Sequence, residues 1–500
     1  MKICNLATQK NCISEILINV MNRYLLDDFP NLSAIYKLAE VVYDCEDCFL
    51  LQRGHLNIEI EEKEYRYINI PAFLYTDSEE LEVRHPRNSF QSGSIRDDFD
   101  FGELILLDKK SFLNAVKTIK AFFCSEEAKR KNIKEEDIKH AGFYMFWLTL
   151  LANNQKIEYI PKIGYSIKTS KNNSLTGISK PESNFNYVDP HNKDIQKEME
   201  LVFTWYLEMI GAKIIPENLK SLDFSKIEKK SFDCSESKFF IEASVIIPVF
   251  NREKTIENAL ASAVNQKTTF PYNIIVIDNY STDKTGEIIE RMARMSQRDN
   301  EKNTTGNNQV NIIHIIPRRK DLGIGGCWNE GVHSEQCGRF SVQLDSDDMY
   351  SGPNTLQKIV DKFYKDQCAM VIGSYKITDY NQKELPPGII DHREWSDDNG
   401  MNNALRINGL GAPRAFYTPL IREIDFPNVS YGEDYAMALR LSREYKIGRI
   451  YDVLYYCRRW SGNSDANLTQ EQVNKNNYYK DSLRTREIEA RQKINGKTNY

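Results

Sequence analysis

The chain has 500 residues, more than one hydrophobic core usually serves, so two domains are expected. With 41% hydrophobic residues, 27% charged residues and a formal net charge of -5, the composition excludes a basic nucleic-acid binder and a disordered chain. The most apolar run, Ala141 to Ala152, is well short of the ~20 residues that span a bilayer, and Lys2 with no long apolar core after it leads to the expectation of no secretory signal.

Ten cysteines scattered from Cys4 to Cys457 read as reduced thiols, so a soluble cytoplasmic protein with no transmembrane segment is expected. From the N-terminus, Ser14 is placed to cap a helix over Glu15 to Leu26, and Ala39 to Leu51 reads as a strand. The alternating stretch Leu56 to Ile70, with Glu61-Glu62-Lys63 at its centre, reads as a hairpin. Cys45 and Cys48 form one Cys-x-x-Cys, but a zinc site needs a second pair nearby. Arg96-Asp97-Asp98-Phe99-Asp100 contains a D-x-D behind the polar loop Asn88 to Ser94, and a solvated loop is expected.

From Phe101 the order of features recurs later in the chain. FGELILLDKKSFLNAV, AGFYMFWLTLLANN and IEYIPKIGYSI parallel GLGAPRAFYTPLI, GEDYAMALRLSREY and GRIYDVLYYCRRW. Tyr144 then falls on Asp434 and Phe143 on Glu433, so the first unit is either a degenerate partial copy that has lost its acid or an unrelated helix-strand unit. Asp194 to Ile210 has the apolar spacing of an amphipathic helix, and the polar stretch Pro216 to Lys238 places the domain boundary. An α+β domain over residues 1–235 is the expectation.

The second domain, residues 240–465, opens with the buried-strand run Ser244 to Ile247, ended by Pro248, and a helix from Thr255 to Val264. A strand from Asn273 to Ile277 ends in Asp278-Asn279, and a helix follows from Lys284 through Met295. After a polar loop, Asp299 to Gln309, come the strand Val310 to Ile316, the basic triplet Arg318-Arg319-Lys320 and a glycine-rich turn, with a helix opening at about Trp328. Those glycines do not fit G-x-G-x-x-G. Alternating strands and helices imply an α/β sheet whose ligands bind beyond the carboxyl ends of its strands.

The strand Phe340 to Leu344 ends in Asp345, Ser346, Asp347 and Asp348, a cluster that suits a divalent cation or, taken alone, an acidic surface turn. Glu433-Asp434 opens another helix, where acids also simply complement the macrodipole. A polar, glycine-containing segment runs from Pro386 to Tyr417, YYCRRW ends a further strand, and residues 466–500 form a helical extension over Gln470 to Gln492.

SVIIPVFN, VIDNYSTDKT, QLDSDD and GEDYAMALRL, in that order, resemble the family-2 glycosyltransferases of non-processive bacterial type. The resemblance implies an A-type fold, a Rossmann-like mixed sheet flanked by helices that binds a nucleotide-diphospho-sugar. It implies that Pro248, Phe250 and Asn251 line the nucleotide pocket and that Asp278 reaches the base, with Asn279 standing where the family commonly has a second acid. Asp345 and Asp347 correspond to the family's D-x-D, which holds Mn2+ or Mg2+, and Asp434 to its general base. Arg458 or Arg459 is expected on the diphosphate, and YYCRRW departs from the Gln-x-x-Arg-Trp of processive members. Trp395 as a stacking platform, Gly411, Arg414 and Glu433 are expected on the acceptor side.

The implied activity is metal-dependent, inverting transfer of a sugar to a hydroxyl of a carbohydrate, lipid-linked or protein-linked glycan, with a UDP-sugar favoured over a GDP-sugar as donor. A non-catalytic nucleotide-sugar-binding or scaffolding protein is the alternative, and homo-oligomerisation is left open.

Overall fold

The computed structural model describes residues 11–12, 23–26, 32–42, 48–53, 58–60, 66–67, 71–168, 193–224, 239–302, 310–463 and 468–496. Two mixed sheets organise them. The first contains β1 (Arg23–Leu26), β2 (Cys48–Arg53), β3 (Ile58–Ile60), β4 (Phe73–Glu80), β5 (Val83–His85), β6 (Leu104–Asp108) and β7 (Ile157–Ile167). Their order is β1-β2-β6-β4-β7-β3, with β5 paired to β4. Helices α1 (Leu32–Val41), α2 (Lys109–Phe123), α3 (Gly142–Ala152) and α4 (Lys193–Ile210) accompany them. The Leu104 to Leu107 run is buried throughout, as expected for an apolar central strand, and Asp108 then caps α2 by accepting from the Ser111 N–H at 2.7 Å.

Three N-terminal expectations change. Arg23–Leu26 is a strand parallel to β2 rather than the end of a helix, and residues 13–22 lie outside the described residues. Ala39 belongs to α1, because Leu32, Ile35, Leu38 and Val42 carry a helical period that begins earlier than the apolar run suggests. Ile58–Ile60 pairs with β7, and Arg66–Tyr67 with Asn11–Cys12, so these two strands are not partners in a hairpin. Alternation reports that a strand has two unlike faces, not which strand it pairs with. Cys48 is buried in β2, while Cys45 lies outside the described residues.

The second sheet holds β8 (Ala243–Val249), β9 (Tyr272–Asp278), β10 (Asn311–Ile315), β11 (Phe340–Gln343), β12 (Met349–Tyr350), β13 (Met370–Asp379), β14 (Glu384–Ile390), β15 (Arg414–Tyr417) and β16 (Ile447–Arg459). It is ordered β10-β9-β8-β11-β15-β13-β16-β12, with β14 on β13. Strands β10, β9, β8 and β11 are parallel, so the ends of β8, β9 and β11 open on one edge, the Rossmann-like arrangement of an A-type fold. Helices α5 (Ile256–Val264), α6 (Thr285–Lys302), α7 (Ile324–Val332), α8 (Thr355–Asp366), α9 (Thr418–Ile424), α10 (Glu433–Ser442) and α11 (Gln470–Ile494) complete the chain. Helix α7 starts at Ile324, ahead of Trp328, because Gly325 and Gly326 let it pack directly on Pro427 and Asn428. Pro248 lies within β8 instead of ending it.

The two sheets share a strand succession. Moving outward from β2 through β6, β4 and β7 to β3, the senses are antiparallel, antiparallel, parallel and antiparallel. From β11 through β15, β13 and β16 to β12 they are the same. The flanking partners also agree: β1 is parallel to β2 as β8 is to β11, and β5 is antiparallel to β4 as β14 is to β13. Carrying the registers across sets Leu51 and Ile105 where Gln343 and Arg414 stand, and α3 precedes β7 as α10 precedes β16.

Helix α11 joins the two halves. Toward the first it accepts from Ser94 Oγ at Asp481 (3.0 Å) and from the Gly93 N–H at Thr485 Oγ1 (2.8 Å). Toward the second, Arg484 donates to Ile407 O (3.1 Å) and Tyr435 Oη (3.0 Å), and Arg491 to Met401 O (2.9 Å). The Arg96–Asp100 loop is therefore only partly solvated: Asp98 and Asp100 are exposed as expected, but the residues around them are packed. Arg96 is 4% exposed, Phe99 is buried, and Asp97 pairs with the fully buried Arg406. Sequence inspection missed this because those partners lie more than three hundred residues away. Part of the expected linker is also packed on the second sheet: the Leu222 N–H donates to Gln367 O at 2.7 Å and Phe224 sits among Phe340, Tyr364 and Tyr417. Among the described residues no helix is long and apolar enough to cross a membrane.

Candidate active site

A cavity of about 510 Å³ opens at the carboxyl ends of β8, β9 and β11. Pro248 and Phe250 line it as expected, with Val249 between them. Asn251 does not. At φ 52° it turns away, its Oδ1 accepts the Thr282 N–H (2.8 Å), and its own N–H donates to Ser281 Oγ (3.0 Å), so it ties two strand-end loops together. Asp278 is also withdrawn: it is 3% exposed, accepts the Ser281 N–H (2.8 Å) and lies 3.3 Å from His314 Nε2. Burial pushes its pKa up, but the bonds from His314 and Ser281 more than offset this and hold it below the ordinary value. Its neighbour Asn279 reaches the cavity instead, donating to Leu322 O (3.0 Å) and leaving Oδ1 buried without a partner among the described residues.

The acidic cluster forms one wall. Asp345 receives Gln343 Nε2 on both oxygens, at 3.0 and 2.9 Å, and its N–H donates to Tyr455 Oη. Asp347 faces Asn463 Nδ2 (3.2 Å), Trp460 Nε1 (3.5 Å) and Arg252 Nε (3.8 Å). Burial, then the charge of Asp345, raises its pKa. Asp348 accepts the Arg458 N–H at 2.8 Å, and burial together with Asp347 and Asp345 pushes its carboxyl well above the usual range. Arg458 departs from expectation: it is fully buried beneath the cluster, donates Nε to Asp347 O and lies over Tyr380, while Arg459 lines the cavity.

The facing wall comes from β15 and α10. Asp434 Oδ2 forms an ion pair with Arg414 Nη1, and Oδ1 accepts the Tyr435 N–H at 2.6 Å. Glu433 also lines the cavity, its carboxyl pushed up by burial and its Oε2 lacking a partner among the described residues. Two acceptor-side expectations fail. Trp395 is 2% exposed, donates to Gly409 O at 3.4 Å and lines a separate cavity with Pro216, Lys362 and Lys446. Gly411 allows a close approach to the Gly373 carbonyl on the neighbouring strand, not to a ligand. Apolar residues are as readily core as platform, and only the register decides.

Gln343, Arg252, Ser430 and Asn463 line the cavity without having been singled out. Gln343 immediately precedes the Leu344-Asp345 strand end, which was its one sequence signal. Among the described residues no group of three or more His, Cys, Asp or Glu could hold a metal ion.

Residues 244–424 match the model of the family described as Glycosyl transferase family 2. The chain is 26% identical over 262 residues to the chondroitin synthase of Pasteurella multocida, covering 51% of this chain and 24% of that protein. It is 25% identical over 228 residues to the poly(ribitol-phosphate) beta-glucosyltransferase of Bacillus spizizenii, covering 44% and 33%. It thus spans a quarter to a third of the length of these curated relatives. The crystal structure of residues 1–349 of S. aureus TarS in complex with UDP-GlcNAc is 20% identical, covers 50% of this chain and 72% of that one, and gives a TM-score of 0.36. The strand-end motifs of β8, β9 and β11, gathered on one cavity, lie within residues 244–424, the part that matches the Glycosyl transferase family 2 model, and the chain carries an additional N-terminal region before them.

Proposed function

We propose that this chain transfers a sugar from a nucleotide-diphospho-sugar, with UDP as the working nucleotide, to a hydroxyl of a glycan acceptor, inverting the anomeric configuration. The observation that carries the proposal is that one cavity has Asp345 and Asp347 on one wall and Asp434 on the other. Pro248, Phe250 and Asn279 form its nucleotide end, and Arg459 and Arg252 supply cations for the diphosphate. Asp345 and Asp347 present hard oxygen donors to the cavity, while Asp348 beside them accepts the Arg458 N–H. That set fits Mn2+ or Mg2+, ions that keep positions for water and phosphate. When bound there, such an ion supplies Lewis-acid stabilisation of the leaving diphosphate.

Asp434, oriented by Arg414 and its own helix N-terminus, takes the proton of the acceptor hydroxyl. As that oxygen bonds to the anomeric carbon, the carbon–oxygen bond to the diphosphate breaks on the opposite face and the nucleoside diphosphate leaves. The first sheet, whose strand succession matches the second but whose Tyr144 falls on Asp434 in the sequence parallel, is read as a degenerate partial copy without a transfer site. A cytoplasmic location goes with this reading.

The test is a panel of UDP-, GDP- and dTDP-sugars with Mn2+, followed by Asp434→Asn. Transfer is expected to fall about 10²- to 10⁴-fold with calorimetric UDP binding unchanged, and full activity would remove the assigned base.

A further inference from the structure

A continuous chain of polar contacts joins the two walls of the cavity. Gln343 Nε2 donates to both oxygens of Asp345, and Gln343 Oε1 accepts from Arg414 Nε at 2.8 Å and from the Arg414 N–H at 3.3 Å. Arg414 Nη1 then pairs with Asp434 Oδ2. We propose that Gln343 and Arg414 are positioning residues that fix Asp345 and Asp434 relative to each other, so that donor and base are held as one unit. The inference rests on the glycosyltransferase reading above.

The chemistry at each link is specific. An amide is needed at 343, because the side chain must donate to a carboxylate on one side and accept from a guanidinium on the other. A guanidinium is needed at 414, because Nε serves Gln343 while Nη1 serves Asp434, which a single ammonium at the end of a flexible chain cannot do. Both residues sit on rigid, adjacent strands, one step beyond the ladder pair Val342 and Ala415. Gln343 is 6% exposed and the Arg414 side chain 15%, so the bridge is largely shielded from water.

The first sheet is an internal comparison. At the corresponding register it carries Leu51 and Ile105, both fully buried, and the sequence parallel sets Tyr144 where Asp434 stands. The same strand succession is therefore built with apolar residues where no acid needs placing. Burying an amide and a guanidinium carries a desolvation cost that the sheet itself does not require. The bridge is explained by what it holds at each end.

The decisive variant is Gln343→Leu, which installs the side chain found in the first sheet. Its kcat for transfer is expected to fall about 10- to 100-fold, as for a displaced catalytic group, while Mn2+-dependent UDP binding and donor KM stay within about threefold. Arg414→Lys, which keeps a cation for Asp434 but loses the Nε bond, is expected to recover part of the kcat that Arg414→Gln loses. A Gln343→Leu enzyme with kcat within about twofold of wild type overturns the inference. So does a loss of kcat matched by an equal loss of Mn2+-UDP affinity, because Gln343 then serves Asp345 alone. If Gln343→Leu does not fold, Arg414→Lys decides, and unchanged kcat in that variant overturns the bridge. A wild-type protein inactive on every donor refutes the glycosyltransferase reading itself, whereas active wild type with an unimpaired Gln343→Leu refutes only this inference.

Discussion

Asp481→Ala tests whether α11 staples the two halves through buried charge. The Asp481 carboxylate is fully buried and accepts from Ser94 Oγ at 3.0 Å and Arg484 Nη1 at 2.7 Å, with Arg96 Nε at 3.4 Å. Removing it leaves the fully buried Arg484 without its acid, while Arg96 keeps Asp98 at 2.7 Å. Breaking one side of a buried pair costs about 3–5 kcal/mol, and the surviving Arg96–Asp98 contact argues for the lower end. About 3 kcal/mol corresponds to a fall in Tm of about 6–12 °C for a domain of this size. Thermal unfolding followed by circular dichroism reads it.

The double variant Asp481→Ala/Arg484→Met removes the orphaned cation as well and is expected to recover part of the loss, a coupling that distinguishes a charge pair from lost packing. Activity should follow stability, because Arg484 Nε holds Tyr435 Oη and the Tyr435 N–H holds Asp434. A shift of less than about 2 °C in the single variant, or simple additivity in the double, would refute this account of the staple.

Trp395→Ala is expected to lower Tm by an amount set by about 3–5 kcal/mol of lost core burial, with acceptor KM unchanged; a raised KM would return Trp395 to the site. Gly411→Ala should cost about 1–3 kcal/mol in denaturant titration, since its Cβ meets the Gly373 carbonyl. The Asp278 pKa is lower in the folded chain, so its contribution to stability is present above the unfolded value of about 3.9 and is lost as pH falls through the native value. Asp278→Asn should therefore differ from wild type most near neutral pH and converge with it in acid; a gap that persists would contradict the lowered pKa. Asp347→Ala should weaken UDP binding only when Mn2+ is present, and identical calorimetry with and without the ion would exclude its metal role.

Much of the second domain was legible because its signals are local. The apolar runs of β8, β9 and β11 end abruptly in polar residues, and an α/β sheet brings such ends to one edge whatever the loops do. The N-terminal half was less legible. Its short strands pair across long separations, so the alternation at Ile58–Ile60 correctly signalled a strand but not its partner in β7.

Individual side chains divided in the same way. Asp345, Asp347, Glu433 and Asp434 were located by residue type and order, since adjacent acids need neutralising wherever the chain sets them. Asn251, Asp278, Trp395, Gly411 and Arg458 were assigned to the cavity by position, and the structure gives each of them contacts away from it. Sequence by itself carried the family resemblance, the order of strand ends and the residue types of the acids that line the cavity. The tertiary structure alone decided which way each strand-end side chain turns, that Arg96 and Asp97 are tied to α11 and Arg406, and that Gln343 and Arg414 connect the two walls. The reason is physical: residue type sets what a side chain can bond to, but register and packing across hundreds of residues set which partner lies within about 3 Å.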